Sequence, residues 1–338
     1  MSAPVGVALI GSGRMGSFHG ETVVRRLPGA RLVAVADPAP GAAERLAAAL
    51  GAGRGYADVA RVWEDPAVDA VVVASPARTH AALVVAAAEA GRHVFCEKPM
   101  AATLADADRA IDAVRAAGVV LQVGFNRRFA PDWRAARVLL DAGTLGTPRL
   151  LRSLTRDPGG FDPARVPPDT IFLETLIHDF DTLRFLHPGA EVVEVHAVAD
   201  ALVEPGWRDR GLLDTAVVVL RFDDGAMGVA EACFEAAYGY DVRGEVLGSG
   251  GMATMGDGRR GGLAFSGPAG RVVETVRGDQ ELFRDAYTAE LGAFVEAVRS
   301  GGPAPVTGED ARAALAIALA AAESVRAGRP VRIDEVEK

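Results

Sequence analysis

Over the first ~124 residues, short and almost wholly apolar runs alternate with helical stretches, and this rhythm constrains the fold more than any other feature. The patterning predicts strands over 5–10, 31–36, 69–74, 93–96 and 119–123, separated by helices over 15–27, 41–50, 80–90 and 104–117. A strand with no polar face must be covered on both sides, as in a parallel sheet lying between helical layers. Right-handed crossovers then give a doubly wound, Rossmann-type α/β domain.

After Gly124 the rhythm changes. A helix over 131–142 leads to a strand over 149–155, a loop with several prolines over 157–168 and a helix over 172–186. Apolar runs at 192–198, 215–222, 227–233, 242–247 and 252–255 follow, joined by turns such as Asp223-Asp224-Gly225. Consecutive strands with short turns predict an α+β domain with a large open, mostly antiparallel sheet. Helical stretches over 282–300 and 308–327 close the chain, so the predicted domains are 1–124 and 125–338.

The first strand ends in Gly11-Ser12-Gly13-Arg14-Met15-Gly16, a G-x-G-x-x-G turn before a helix. Gly11 permits the tight turn, Gly13 lets a pyrophosphate approach the backbone, and Gly16 lets helix and strand pack closely. The helix N-terminus then offers free N–H groups to the phosphates. Asp37 follows ~20 residues later at the end of the second strand, where a carboxylate accepts from an adenosine ribose 2′-hydroxyl. Pro38-Ala39 supply no arginine for a 2′-phosphate, so the expected cofactor is NAD rather than NADP.

That cofactor is an anion on a chain of net charge −9, so local N–H groups must hold it. The same charge argues against nucleic acid and anionic membranes as partners. The longest apolar run, 313–322, is too short to span a bilayer. The start Met1-Ser2-Ala3-Pro4-Val5 lacks the basic opening of a signal peptide, and Cys96 and Cys233 are too few for a disulfide framework. A cytoplasmic protein is expected, with both cysteines as buried small hydrophobes.

Two further constellations carry chemistry. Glu97-Lys98-Pro99 follows the fourth strand, at the carboxyl edge where open α/β sheets bind ligands, so Lys98 can lie beside a reacting hydroxyl. On the helix over 172–186, a regular 100° step brings Glu174, His178 and Asp181 within ~60° of one another, with Phe172, Leu176, Phe180 and Leu183 opposite. His178 is the natural general base and Glu174 its partner. Such a face could instead be merely solvated or hold a metal; hydride transfer assisted by a lysine needs no metal, and none is expected.

Together the glycine turn, Asp37, Glu97-Lys98-Pro99, Phe125-Asn126-Arg127-Arg128-Phe129, the His178 helix and the closing helix with Ala286-Tyr287, Glu290-Leu291 and Phe294 resemble the Gfo/Idh/MocA family of NAD(P)-dependent oxidoreductases. The likeness covers essentially the whole chain. It implies a Rossmann domain followed by a domain whose open sheet commonly mediates dimers or tetramers, here a homotetramer. Tyr238-Gly239-Tyr240-Asp241 and Thr155-Arg156-Asp157-Pro158 are similar to segments of the family's inositol-oxidising branch. The implied reaction is NAD-dependent oxidation of a cyclic polyol, myo-inositol to 2-keto-myo-inositol (scyllo-inosose). A pyranose, an aminocyclitol or another inositol isomer is the nearest alternative substrate, and a non-catalytic dinucleotide-binding regulator is the alternative of another class.

The family's catalytic Lys–Asp–His set falls on Lys98, Glu174 and His178, with glutamate where the inositol enzymes usually carry aspartate. Expected cofactor contacts are Gly11, Gly13, Arg14, Met15, Gly16, Asp37, Ser75, Pro76, Glu97 and Lys98. Asn126, Arg128, Tyr238 and Tyr240 are expected to join Lys98, Glu174 and His178 around the substrate.

Overall fold

The computed structural model describes residues 3–162, 164, 166–268 and 270–337. Pro163 and Arg165 of the expected proline-bearing loop, and the start Met1-Ser2, lie outside the described residues. Contacts divide the chain into two compact units, Met1–Asn126 with Asp285–Leu315, and Arg127–Arg284 with Ala316–Lys338. The first change of unit, after Asn126, falls beside the expected division near Gly124. One closing segment, Asp285–Leu315, leaves the second domain of the sequence and packs with the first, because its apolar stripe finds its partners there.

The first unit holds β1 (Val5–Ile10), α1 (Arg14–Arg26), β2 (Ala30–Ala36), α2 (Ala42–Leu50), β3 (Arg54–Tyr56), α3 (Ala60–Glu64), β4 (Ala70–Val73), α4 (His80–Glu89), β5 (His93–Cys96), α5 (Leu104–Ala117) and β6 (Leu121–Val123). The strands form one sheet in the order β3-β2-β1-β4-β5-β6, every pair parallel. This is the doubly wound order in which ligands sit at the carboxyl edge, where the strand order reverses. All six residues of β1 and all four of β4 are buried, as a sheet covered on both faces requires. Leu291, Phe294 and Val295, from a later helix, join Leu9, Leu27 and Phe95 in the same core.

The second unit begins with α6 (Pro131–Asp141) and β7 (Pro148–Arg156), then α7 (Ile177–Phe185). β8 (Val192–Asp200), β9 (Thr215–Phe222), β10 (Met227–Cys233), β11 (Asp241–Gly248) and β12 (Met252–Met255) follow. β13 (Arg259–Gly267) and β14 (Gly270–Thr275) form a separate hairpin. The chain closes with α8 (Asp279–Leu282), α9 (Arg284–Ser300), α10 (Gly308–Ala327), β15 (Val331–Arg332) and α11 (Ile333–Val336). The large sheet runs β12-β11-β7-β10-β9-β8-β15, antiparallel except where β10 pairs with β7. Burial alternates residue by residue along β9, the pattern of a sheet with one packed and one open face.

The helix expected over 172–186 is not uniform. Ile171–Leu176 is a π-helix and only Ile177–Phe185 is α-helical. The wider turn changes the angular step, so a constant 100° per residue does not hold across the segment. Glu174 is exposed and His178 half-buried, whereas Asp181 is buried. The changed step falls between Glu174 and His178, while Asp181, on the regular turns with His178, is drawn inward by Arg128. Cys96 is buried as expected, but Cys233 is only half-buried at the end of β10. Among the described residues, no helix is long and apolar enough to cross a membrane.

Candidate active site

At the end of β1, Gly11 adopts φ +102°, and an added Cβ would lie 2.6 Å from the Ala74 carbonyl oxygen. At Gly16 an added Cβ would lie 2.0 Å from the Gly11 carbonyl oxygen, so only glycine lets α1 sit this close to the turn. Gly13 differs: a Cβ there would meet nothing within 4 Å. It is the N-cap of α1, and no side chain caps the helix. The turn thus presents open space in front of a helix N-terminus, which fits a dinucleotide pyrophosphate.

Asp37 closes one flank. Its Oδ2 accepts from the Ser12 N–H at 2.8 Å and the Ser12 hydroxyl at 2.7 Å, and its Oδ1 accepts from the Ala39 N–H at 2.8 Å. Burial opposes the charge, but the Ser12 and Ala39 donors outweigh it and hold the carboxyl below its ordinary value. An ionised carboxylate tied to the glycine turn suits a ribose diol and repels a 2′-phosphate.

On the other flank, the Ser75 hydroxyl pairs with that of Thr79 at 2.7 Å, and the Pro76 carbonyl accepts from the Thr79 N–H at 2.9 Å. His80 is buried and bridges two strand ends, with Nε2 2.8 Å from the Ser75 carbonyl oxygen and Nδ1 2.8 Å from that of Pro99. Half-buried Lys98 precedes Pro99 through a cis peptide. Its N–H donates to Glu97 Oε2 at 3.2 Å, while Glu97 Oε1 lies 2.6 Å from His19 Nε2. Burial would push the Glu97 carboxyl up, but His19, then Lys98 and His80, hold it below its ordinary value. Gly124 leaves the room this needs, since a Cβ there would approach Glu97 Oε2 to 3.3 Å. A connected rim therefore runs along the sheet's carboxyl edge from Asp37 to Lys98. Buried Asn126 follows β6 in the same unit.

In the second unit, the segment bearing Glu174 and His178 is anchored by charge. Arg127 donates to Asp179 Oδ1 at 2.7 Å and to the Thr155 hydroxyl at 2.6 Å. Asp179 also accepts from Ser153 at 2.5 Å and Thr155 at 2.7 Å. Arg127 and Asp179 are 2% and 0% exposed, so this ion pair is wholly desolvated and hydrogen-bonded on both sides. Next to it, Arg128 grips Asp181 through Nε at 2.9 Å and Nη2 at 2.6 Å. Arg128 was expected to meet substrate; the structure gives its guanidinium a carboxylate that fixes its orientation. Tyr238 is half exposed and donates to Asp241 at 2.7 Å. Tyr240 is buried, and burial, then the nearby Asp157 charge, raises its hydroxyl pKa, keeping it neutral.

Within the first unit the structure joins Gly11, Gly13, Gly16, Asp37, Ser75, Pro76, Glu97 and Lys98. Within the second it holds Glu174 and His178 on one helical segment. Sequence reasoning missed Arg127 and Asp179 as anchors, and His80 and Glu290 as buried polar groups. Asp179, next to a candidate base and followed by an apolar residue, carried a usable signal; so did Glu290, set within the apolar spacing Tyr287, Leu291, Phe294.

Residues 5–125 match a family model described as "Oxidoreductase family, NAD-binding Rossmann fold", and residues 133–254 match the GFO/IDH/MocA C-terminal domain. The chain is 40% identical over 333 residues to the myo-inositol 2-dehydrogenase of Thermotoga maritima, covering 98% of this chain and 99% of that protein. It is 38% identical over 336 residues to the scyllo-inositol 2-dehydrogenase (NAD(+)) of Bacillus subtilis, covering 99% and 98%. The crystal structure of scyllo-inositol dehydrogenase from Lactobacillus casei with bound NAD(H) and scyllo-inositol superposes with a TM-score of 0.94 at 26% identity, covering 98% of this chain and 99% of that one.

Proposed function

Because the chain belongs to the GFO/IDH/MocA family of NAD-binding oxidoreductases, we propose that it is an NAD-dependent dehydrogenase of inositol, oxidising the C2 secondary alcohol of myo-inositol to 2-keto-myo-inositol. The observation that carries this reading is end-to-end likeness to two inositol 2-dehydrogenases, together with the lysine and histidine the chemistry needs. A non-catalytic dinucleotide-binding regulator would be expected to have lost Lys98 or His178; both stand in place.

Gly11, Gly13, Arg14, Met15 and Gly16 would hold the pyrophosphate of NAD, Asp37 its ribose, and Ser75, Pro76 and Glu97 the nicotinamide side. Bound NAD⁺ supplies the acceptor for the hydride that leaves the alcohol carbon. Lys98 polarises the hydroxyl oxygen, and His178 takes the hydroxyl proton as the C–H bond breaks, leaving a ketone. Glu174 carries that proton onward. Asn126, Arg128, Tyr238 and Tyr240 bind the remaining hydroxyls, Arg128 aimed by Asp181. A site built on many hydrogen bonds rejects a ring whose hydroxyl is missing or inverted, because a buried group is left unpaired.

The assembly we infer is a homotetramer built on the open face of the large sheet. Val198, Val217, Val219, Met227, Leu247 and Met252 stand exposed there among ion pairs such as Arg152–Glu231 and Arg221–Glu194, a mixed surface that a second copy of the chain would cover. Both cysteines are free thiols, which suits the reducing cytoplasm.

The test is NADH formation across myo-, scyllo- and D-chiro-inositol, common aldoses and an aminocyclitol, repeated with NADP⁺. myo-Inositol with NAD⁺ is expected to give the highest kcat/KM. Absence of NADH from every polyol would sink the reading, and a preference for NADP⁺ would contradict the role of Asp37.

A further inference from the structure

Behind the Lys98 turn the first unit encloses an acid the reaction does not use. Glu290 is 0% exposed on α9, and neither carboxyl oxygen has a hydrogen-bond partner in the structure. One ligand-type atom each from His19, Glu97 and Glu290 lies within 4.8 Å of the others, and all three residues are buried. Two carboxylates that close, away from water, do not both ionise. The donors decide which one does. Glu97 receives His19 at 2.6 Å and the Lys98 N–H at 3.2 Å, whereas Glu290 receives nothing. His19 Nδ1 is also buried without a partner.

A metal ion fits less well. His19 has committed Nε2 to Glu97, and Glu97 has committed its second oxygen to Lys98, so an ion would have to displace bonds already made.

We propose that Glu290 is a positioning residue of the dehydrogenase, holding the one proton this pocket allows its two carboxyls, so that it fills the space beside ionised Glu97 and the Lys98 turn without adding a second charge. Ionised Glu97 can then accept from the Lys98 N–H and balance the ammonium charge. Burial first, then the Glu97 charge, push the Glu290 carboxyl well above its ordinary value. The titratable groups around the pair are His19 from α1, His80 from α4, Cys96 and Lys98 flanking Glu97, and Tyr287 one turn before Glu290. The catalytic consequence rests on the proposed function; the protonation does not.

The sign of the pH dependence follows. A carboxyl raised in the folded state binds a proton that the unfolded chain has released, so wild-type stability falls as pH rises above the ordinary glutamate value. Glu290→Gln is neutral at every pH and lacks that loss. Its folding equilibrium constant should therefore gain on wild type by up to roughly tenfold per pH unit above the carboxyl range, read from urea unfolding at several pH values. At neutral pH, infrared spectra of wild type should carry a protonated-carboxyl band that Glu290→Gln lacks. Turnover should fall in Glu290→Ala, which empties the buried volume behind the Lys98 turn, and be largely recovered in Glu290→Gln, a neutral isostere that fills it.

Parallel stability curves, an infrared band untouched by the substitution, or Glu290→Gln no better than Glu290→Ala would overturn the proposal. So would a stoichiometric metal ion in purified wild type that the variant lacks. If Glu290→Gln fails to fold, Glu290→Met gives the same stability and infrared readings. If no polyol is oxidised but the stability slopes diverge, the proposed function fails while the shared proton stands.

Discussion

Single residues at the carboxyl edge act through space as much as through chemistry. An alanine at position 16 would bring its Cβ to 2.0 Å from the Gly11 carbonyl oxygen, so helix or turn must move. Gly16→Ala is expected to cost about 1–3 kcal/mol in urea unfolding and to weaken NAD binding as the helix N-terminus shifts. Asp37 works by charge. Asp37→Ala removes the ribose acceptor and leaves the Ser12 donors without it, so the Kd for NAD, by fluorescence titration, should rise about 10- to 100-fold. Lys98→Ala and His178→Ala should each lower kcat by about 10²–10⁴ while NAD still binds. Full activity in either variant would remove it from the catalytic set.

At the scale of elements, what matters is how the His178 helix is held. A π-helix feeds an α-helix, and the Arg127–Asp179 and Arg128–Asp181 pairs bind it to the chain after Asn126. Helix propensity alone would not fix that rotation; buried charge does, because moving Asp179 would strand Arg127 away from water. Arg127→Met or Asp179→Leu should each cost about 3–5 kcal/mol, and the double variant less than the sum of the two, since it removes both charges. Chemical denaturation of the four proteins measures the coupling. Additive losses would mean that the pair does not act as one anchor.

At the scale of the whole molecule, the second sheet leaves one face uncovered, valines and methionines among ion pairs, while the first sheet is buried on both sides. Val198 lies opposite Val217 across the β8–β9 pair, and both are exposed. If the proposed assembly uses this face, Val198→Glu with Val217→Glu should lower the mass measured by light scattering, because two unpaired charges cannot be buried in a subunit contact at tolerable cost. An unchanged mass would place the subunit contact elsewhere.

Local spacing was enough for much of this protein. Strand-helix alternation, the glycine turn and the acidic end of β2 are read within a few tens of residues, and periodicity and φ restrictions are short-range, so the parallel sheet and its cofactor edge followed from the sequence. So did the open second sheet, whose strands follow one another with short turns. Three things needed the tertiary structure. The return of Asp285–Leu315 to the first unit depends on which core its apolar stripe reaches. The π-turn changed the angle between Glu174 and His178, and the pair with Arg128 took Asp181 out of water. The partners of buried charges come from residues far apart in the chain, as with Arg127 and Asp179, or His19, Glu97 and Glu290. No periodicity records such pairings, because they are set by desolvation: a charge or acid taken from water must find its counterpart wherever the folded chain brings one.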